Sequence, residues 1–196
     1  MPRRLQHSQR PHGLLGPQPE HVRGRKTLVL DLDETLVHSQ FNQIWKPDYT
    51  IPVDIEGRVS NIYVMKRPGA EYFLQQMAQY FEVVIFTASL SKYADPLMNM
   101  MDPNGYSTAR LFREHCAFVN GVFTKDMSQI GRNMKDAIII DNSPTSYTPT
   151  VNTFSVHPNT RYHRSPGKRY TKAVPRRTNL SAGLTHGVRR TSLYSQ

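Results

Sequence analysis

Several things are scarce in this 196-residue chain, and each scarcity narrows what it can be. There is one cysteine, Cys116, so no internal disulfide can form, which suits a reducing compartment. No apolar run approaches the ~20 residues a helix needs to cross a bilayer, so no membrane span is expected. The charged start, Met1-Pro-Arg-Arg, leads into no apolar stretch and is not expected to be a secretory signal. That start is also poor in acid, as mitochondrial presequences are, but Pro2, Pro11, Pro17 and Pro19 oppose the amphipathic helix such a sequence needs. Acid is missing altogether from residues 149–196.

The last absence explains the charge. The chain carries a net +10, yet residues 25–148 hold 12 Lys/Arg against 14 Asp/Glu. The excess lies in residues 1–24, with four Arg and one Glu, and in residues 149–196, with nine Lys/Arg. Both ends are rich in polar residues and proline and show no periodicity, and both read as disordered tails. Such tails are either simply solvated or contact nucleic acid or anionic surfaces weakly. One domain, residues 25–148, is expected between them.

Within that domain three short apolar runs read as buried strands of a parallel sheet. Leu28-Val-Leu30 ends in Asp31, with Asp33 two positions on. Glu82-Val-Val-Ile-Phe-Thr87 ends in Thr87-Ala-Ser89, and Ala137-Ile-Ile-Ile-Asp141 delivers Asp141-Asn142. Carboxylates and hydroxyls thus gather at the carboxyl ends of strands, where open α/β sheets bind ligands. By itself Asp31-x-Asp33 also admits a plainer reading, a solvated turn or a helix cap made by Asp33 or Thr35.

Between the first and second runs, Tyr49–Ile55 and Val59–Met65 alternate around a turn at Glu56-Gly57-Arg58, a hairpin pattern. His38 to Lys46 reads as an irregular connection. A helix follows Pro68, with Tyr72, Phe73, Met77 and Tyr80 expected to face the sheet. Ser91 to Met101 reads as a second helix, interrupted at Pro96. Cys116 to Thr124 reads as a hairpin turning at Asn120-Gly121.

Four segments in this order carry a resemblance: Asp31-Leu-Asp-Glu-Thr-Leu-Val-His-Ser39, Phe86-Thr-Ala-Ser-Leu-Ser-Lys-Tyr-Ala-Asp-Pro96, Leu111-Phe-Arg-Glu-His-Cys116 and Ile138-Ile-Ile-Asp-Asn-Ser-Pro144. Together they resemble the aspartate-nucleophile phosphatases of the haloacid dehalogenase superfamily. The branch they resemble is that of the small phosphatases of the RNA polymerase II C-terminal domain. The resemblance implies a three-layer α/β fold with a parallel sheet, a hairpin inserted as a cap, and an aspartyl-phosphate route. It implies Asp31 as nucleophile, Asp33 as general acid and base, and Thr87 and Lys125 on the phosphate. Without it, Lys125 would read as an ordinary surface charge.

The resemblance further implies Mg²⁺ on the Asp31 carboxylate, the Asp33 carbonyl and the Asn142 side chain, with Asp141 in support. Phe41, Val53, Ile55, Ile62, Leu90, Tyr93 and Arg113 match positions that meet the substrate. The implied partner is a phosphorylated Ser/Thr protein or peptide, the chain acting as a monomer in the nucleus or cytoplasm. One alternative is a non-catalytic binding module, like the subunit of the mitochondrial inner-membrane translocase that shares this fold. Another follows from residues 149–196, where the closing strand and helix of that branch are not recognisable. The domain then reads as truncated at the C-terminus, and the chain as an unstable, inactive product.

Overall fold

A computed structural model describes residues 13–143, 145–147 and 152–155, the last four by their backbone alone. All lie within one unit, Met1–Tyr162. The first apolar run forms β1 (Lys26–Leu30), whose last four residues are buried. A short strand β2 (Val37–Gln40) follows, then β3 (Tyr49–Ile55), β4 (Arg58–Lys66) and helix α1 (Ala70–Met77). Strand β5 (Phe81–Phe86), helix α2 (Ser91–Met101) and strand β6 (Ala109–Leu111) come next. The small hairpin β7 (Ala117–Val119) and β8 (Val122–Thr124) precedes β9 (Ala137–Asp141) and β10 (Asn152–Ser155).

The main sheet has the order β10-β9-β1-β5-β6, every pair parallel. β1 lies between β5 and β9, so both its edges are paired and both its faces covered. That is why its sequence is a continuous apolar run with no alternation. Val29, Val84 and Ile139 come from the three central strands and pack with Met127, Ile130 and Tyr147 in one buried cluster. The parallel directions bring the carboxyl ends of β1, β5 and β9, and so Asp31, Thr87 and Asp141, to one edge.

The expected hairpin is present and has a third strand. β2 pairs with β4, and β4 with β3, in an antiparallel sheet of order β2-β4-β3. Val37-His-Ser-Gln40 carries a single apolar residue, so no alternation announces it. Pro52 sits in β3 at the edge of this sheet, where a strand tolerates a residue with no N–H to donate. Asn120 and Gly121 both take positive φ, 51° and 82°, the geometry of the tight turn their sequence demands.

Four differences from the sequence reading stand out. Residues 13–24 are built onto the domain. The N–H groups of Leu14 and Leu15 donate to the carbonyls of Gln129 and Ile130, and both side chains pack against the buried cluster. Val22 is also buried. Two leucines and one valine among prolines and glycines give no periodicity, so the order comes from tertiary packing alone. Second, Asn152–Ser155 extends the sheet beside β9 within the stretch read as tail. Residues 1–12 and 156–196, which carry 12 of the 25 Lys/Arg and no Asp or Glu, lie outside the described residues.

Third, α1 buries Ala70 and Leu74, while Tyr72 is 66% exposed and Tyr80, beyond the helix end, is 64% exposed. The aliphatic i, i+4 pair turns inward and carries the aromatic rings to its flanks and outward. Fourth, α2 runs through Pro96 without a break. Leu97, Met98 and Met101 beyond the proline are buried, and that packing holds the last turns in place.

Candidate active site

Asp31 follows directly on β1, its N–H bonded to the Ile140 carbonyl across the sheet (3.0 Å). The chain then turns tightly, with the N–H groups of Thr35, Leu36 and Val37 all converging on the Leu32 carbonyl. Arg67 braces this turn from the end of β4. Its side chain donates to the carbonyls of Glu34 and Thr35, and its N–H to that of Leu36. Nothing in the sequence marked Arg67. The signal that could have found it is its place just before Pro68, where the inserted sheet returns to the domain.

Both oxygens of the buried Asp31 carboxylate are engaged. Oδ1 takes Lys125 Nζ at 2.7 Å, and Oδ2 accepts from the Thr35 hydroxyl at 3.0 Å. Lys125 also reaches Asp141 Oδ2 at 2.6 Å, while Asp141 Oδ1 accepts from the Ser143 N–H at 2.8 Å. Burial raises the Asp31 pKa to about 6; Lys125 pulls it down, and Asp141 and Asp33 push it up again. Burial alone would lower the Lys125 pKa, but the two carboxylates outweigh it and raise it. Lys125 is therefore a fixed ammonium.

Asp33, two residues on, is also buried and bound by hydroxyls. Ser39 Oγ (2.7 Å) and the Tyr93 hydroxyl (2.9 Å) donate to Oδ1, and Ser89 Oγ (2.6 Å) donates to Oδ2. The two carboxylates are thus set in different company: Asp31 on an ammonium and a threonine, Asp33 among three hydroxyls. Thr87 is buried at the end of β5, its Oγ1 accepting from the Ser89 N–H. Cys116 is buried, and burial pushes its thiol up to about 11, so it is not a thiolate at neutral pH.

The residues expected to meet a substrate divide into two groups. Phe41 and Leu90 keep 45% and 39% of their surface, and Ile55 is half-buried. Val53 and Ile62 are buried. Leu90 caps α2, which lies against β3 through a bond from Lys92 Nζ to the Asp54 carbonyl. The inserted sheet and the start of α2 therefore stand together. Tyr93 is buried, with its hydroxyl on Asp33. Arg113 is half-buried, donates from Nε to the Ala88 carbonyl, and lies 4.9 Å from the centroid of the Phe123 ring.

Asn142 follows Asp141 and is half-buried. Among the described residues no three His, Cys, Asp or Glu side chains converge as a ready-made metal cluster. A cation here would depend on an amide and a backbone carbonyl besides Asp31. That donor set is all oxygen, which suits Mg²⁺. Asp31 and Asp141 also share one ammonium between two charges, so the site has room electrostatically for a further cation.

Residues 26–170 match the profile of the NLI interacting factor-like phosphatases. The chain belongs to that family. The match extends past residue 148, into the stretch whose composition reads as a tail.

Among relatives of this NLI interacting factor-like chain, a probable C-terminal domain small phosphatase of Dictyostelium discoideum is 54% identical over 129 residues, 66% of this chain and 42% of the relative. The human CTD small phosphatase-like protein is 53% identical over 124 residues, 63% of this chain and 45% of the relative. The chain thus spans less than half the length of these relatives. The solved structure of fission yeast RNA polymerase II CTD phosphatase Fcp1-R271A bound to beryllium fluoride superposes with a TM-score of 0.55 at 19% identity. It covers 67% of this chain and 41% of that one. That likeness and the parallel sheet make the fold haloacid dehalogenase-like.

Proposed function

We propose that this chain is a Mg²⁺-dependent protein serine/threonine phosphatase working through an aspartyl-phosphate on Asp31. One observation carries the reading: Asp31 and Asp33 lie side by side at the end of a buried strand in two distinct environments. Membership of a phosphatase family supports it.

Asp31, ionised and fixed by Lys125 and Thr35, attacks phosphorus in line with the ester oxygen. The bond from phosphorus to the serine or threonine oxygen breaks, and Asp33 gives that oxygen its proton. Water then attacks the aspartyl-phosphate, Asp33 takes the water's proton, and phosphate leaves Asp31. Such acid and base assistance is worth about 10²–10⁴ in rate. Lys125 and Thr87 meet the phosphate oxygens, and the fixed ammonium stabilises charge as it develops. Asp31, the Asp33 carbonyl and Asn142 would hold Mg²⁺, with Asp141 supporting. When bound, Mg²⁺ offsets the combined negative charge of the carboxylates and the phosphate.

The substrate proposed is a phosphoserine or phosphothreonine protein segment, entering past Phe41, Ile55 and Leu90. Related proteins are named for action on the RNA polymerase II C-terminal domain, and a nuclear or cytoplasmic setting follows if this chain acts alike. The test is turnover of a phosphoserine peptide with and without Mg²⁺, by wild type and by Asp31→Asn. Turnover that needs both the metal and Asp31 supports the reading, and Asp31→Asn turnover within tenfold of wild type would refute it.

A further inference from the structure

Asp33 must deliver a proton to one oxygen and take one from another, and it must do so from a fixed place. A free carboxylate turns about two side-chain bonds. Here three O–H donors reach both of its oxygens, which fixes the plane of the group as well as its position. The donors come from separate parts of the fold. Ser39 stands on β2 of the inserted sheet, Ser89 in the loop after β5, and Tyr93 in the first turn of α2.

We propose that Ser89 and Ser39 are positioning residues that aim Asp33 at the ester oxygen, an assignment that rests on the phosphatase reading above. Ser89 is itself firmly placed. Its N–H donates to Thr87 Oγ1 at 3.0 Å, and its carbonyl accepts from the Arg113 N–H at 2.9 Å. Its hydroxyl contact with Asp33, at 2.6 Å, is the shortest of the three. Each carboxylate oxygen offers about two acceptor sites. Ser39 and Tyr93 fill those of Oδ1 and Ser89 takes one of Oδ2, so Ser89 keeps donating in both half-reactions while the second site of Oδ2 carries the proton that goes to the ester oxygen. Ser39 ties the same carboxylate to the inserted sheet, so the wall that meets the substrate and the proton donor move together. Displacing a reacting group by about 1 Å can cost on the order of 10²-fold.

Positioning of the acid matters most when the leaving oxygen is a poor one. A serine alkoxide needs its proton as the bond breaks, whereas the anion of an acidic phenol leaves unaided. The experiment compares kcat/KM for a phosphoserine peptide and for an aryl phosphate with an acidic phenol, both with Mg²⁺. Ser89→Ala should lower the peptide value by roughly 10–100-fold, and by at least tenfold more than the aryl value, with KM for the peptide little changed. Ser89→Thr should restore most of it, because it returns a hydroxyl. Ser39→Ala should show the same bias and serves as the reading if Ser89→Ala does not fold. Equal losses on both substrates, or no loss, overturn the positioning role alone. A wild-type chain that turns over neither substrate overturns the phosphatase reading and this inference with it.

Discussion

The ammonium of Lys125 reaches across 94 positions of sequence to within 2.7 Å of an Asp31 oxygen, with both side chains almost wholly buried. The same nitrogen holds Asp141, so one cation stabilises two buried carboxylates. Taking away one member of a buried ionic group leaves the others uncompensated, at a cost of about 3–5 kcal/mol.

Lys125→Met should therefore destabilise the domain by that amount and abolish turnover. Adding Asp141→Asn to it should return part of the stability and none of the activity. Chemical denaturation of the two variants checks this. A Lys125→Met chain as stable as wild type would mean that the buried triad contributes nothing to the fold.

A second buried pair lies at the other end of the sheet, away from the chemistry. Arg132 grips both oxygens of Glu82 at 2.7 and 2.6 Å, and Thr27 Oγ1 adds a bond of 2.7 Å. Burial by itself would raise the Glu82 pKa, but the donors from Arg132, Thr27 and Gln18 outweigh it and hold it below the usual 4.5. A carboxyl whose pKa is lower in the folded state stabilises the fold above its unfolded value, and that contribution fades as pH falls through the folded value. Stability should fall as pH drops below about 4.5, and Glu82→Gln should flatten that part of the curve. Denaturation midpoints across acidic pH decide it. An unchanged slope in Glu82→Gln would assign the acid sensitivity to other groups.

The same arginine anchors the early segment, since Arg132 Nη1 donates to the Gly16 carbonyl at 2.8 Å. Removing residues 1–24 should cost a few kcal/mol, from the packing of Leu14, Leu15 and Val22 at up to about 1.5–3 kcal/mol each when fully buried. Turnover per folded molecule should be unaffected. A truncated chain with an unshifted denaturation midpoint would return the segment to the status of a tail.

Asn142→Ala removes one expected metal oxygen and no phosphate contact. The Mg²⁺ concentration for half-maximal turnover should rise on the order of 10-fold or more, in the range a supporting metal contact is worth, with less change in KM for the peptide. A Mg²⁺ response identical to wild type would remove Asn142 from the ligand set.

What the sequence revealed and what it withheld divide along one physical line. That Asp31, Thr87 and Asp141 share one edge of the sheet was legible because parallel strands carry a continuous apolar signal that ends at those residues. Lys125 was legible only through the order of motifs, since a lone lysine after a hairpin has no local signature. Ser39, Ser89 and Arg67 act through partners 6 to 56 positions away and through backbone carbonyls, relationships that exist only once the chain has folded. The strand β10 and residues 13–24 have too few apolar residues for any period to show. Each is held by what it pairs with, β10 by the open edge of β9 and residues 13–24 by the Gln129–Arg132 turn.

The central claim is a covalent phosphoryl group on Asp31, and the most direct measurement is to trap it. Wild-type protein is mixed with phosphoserine peptide and Mg²⁺, quenched in acid during turnover, reduced with borohydride and mapped by mass spectrometry. An aspartyl-phosphate at position 31 should appear as homoserine there, only when substrate is present, and never in Asp31→Asn. Sustained turnover with residue 31 recovered solely as unmodified aspartate, or with the label on another side chain, would contradict the account.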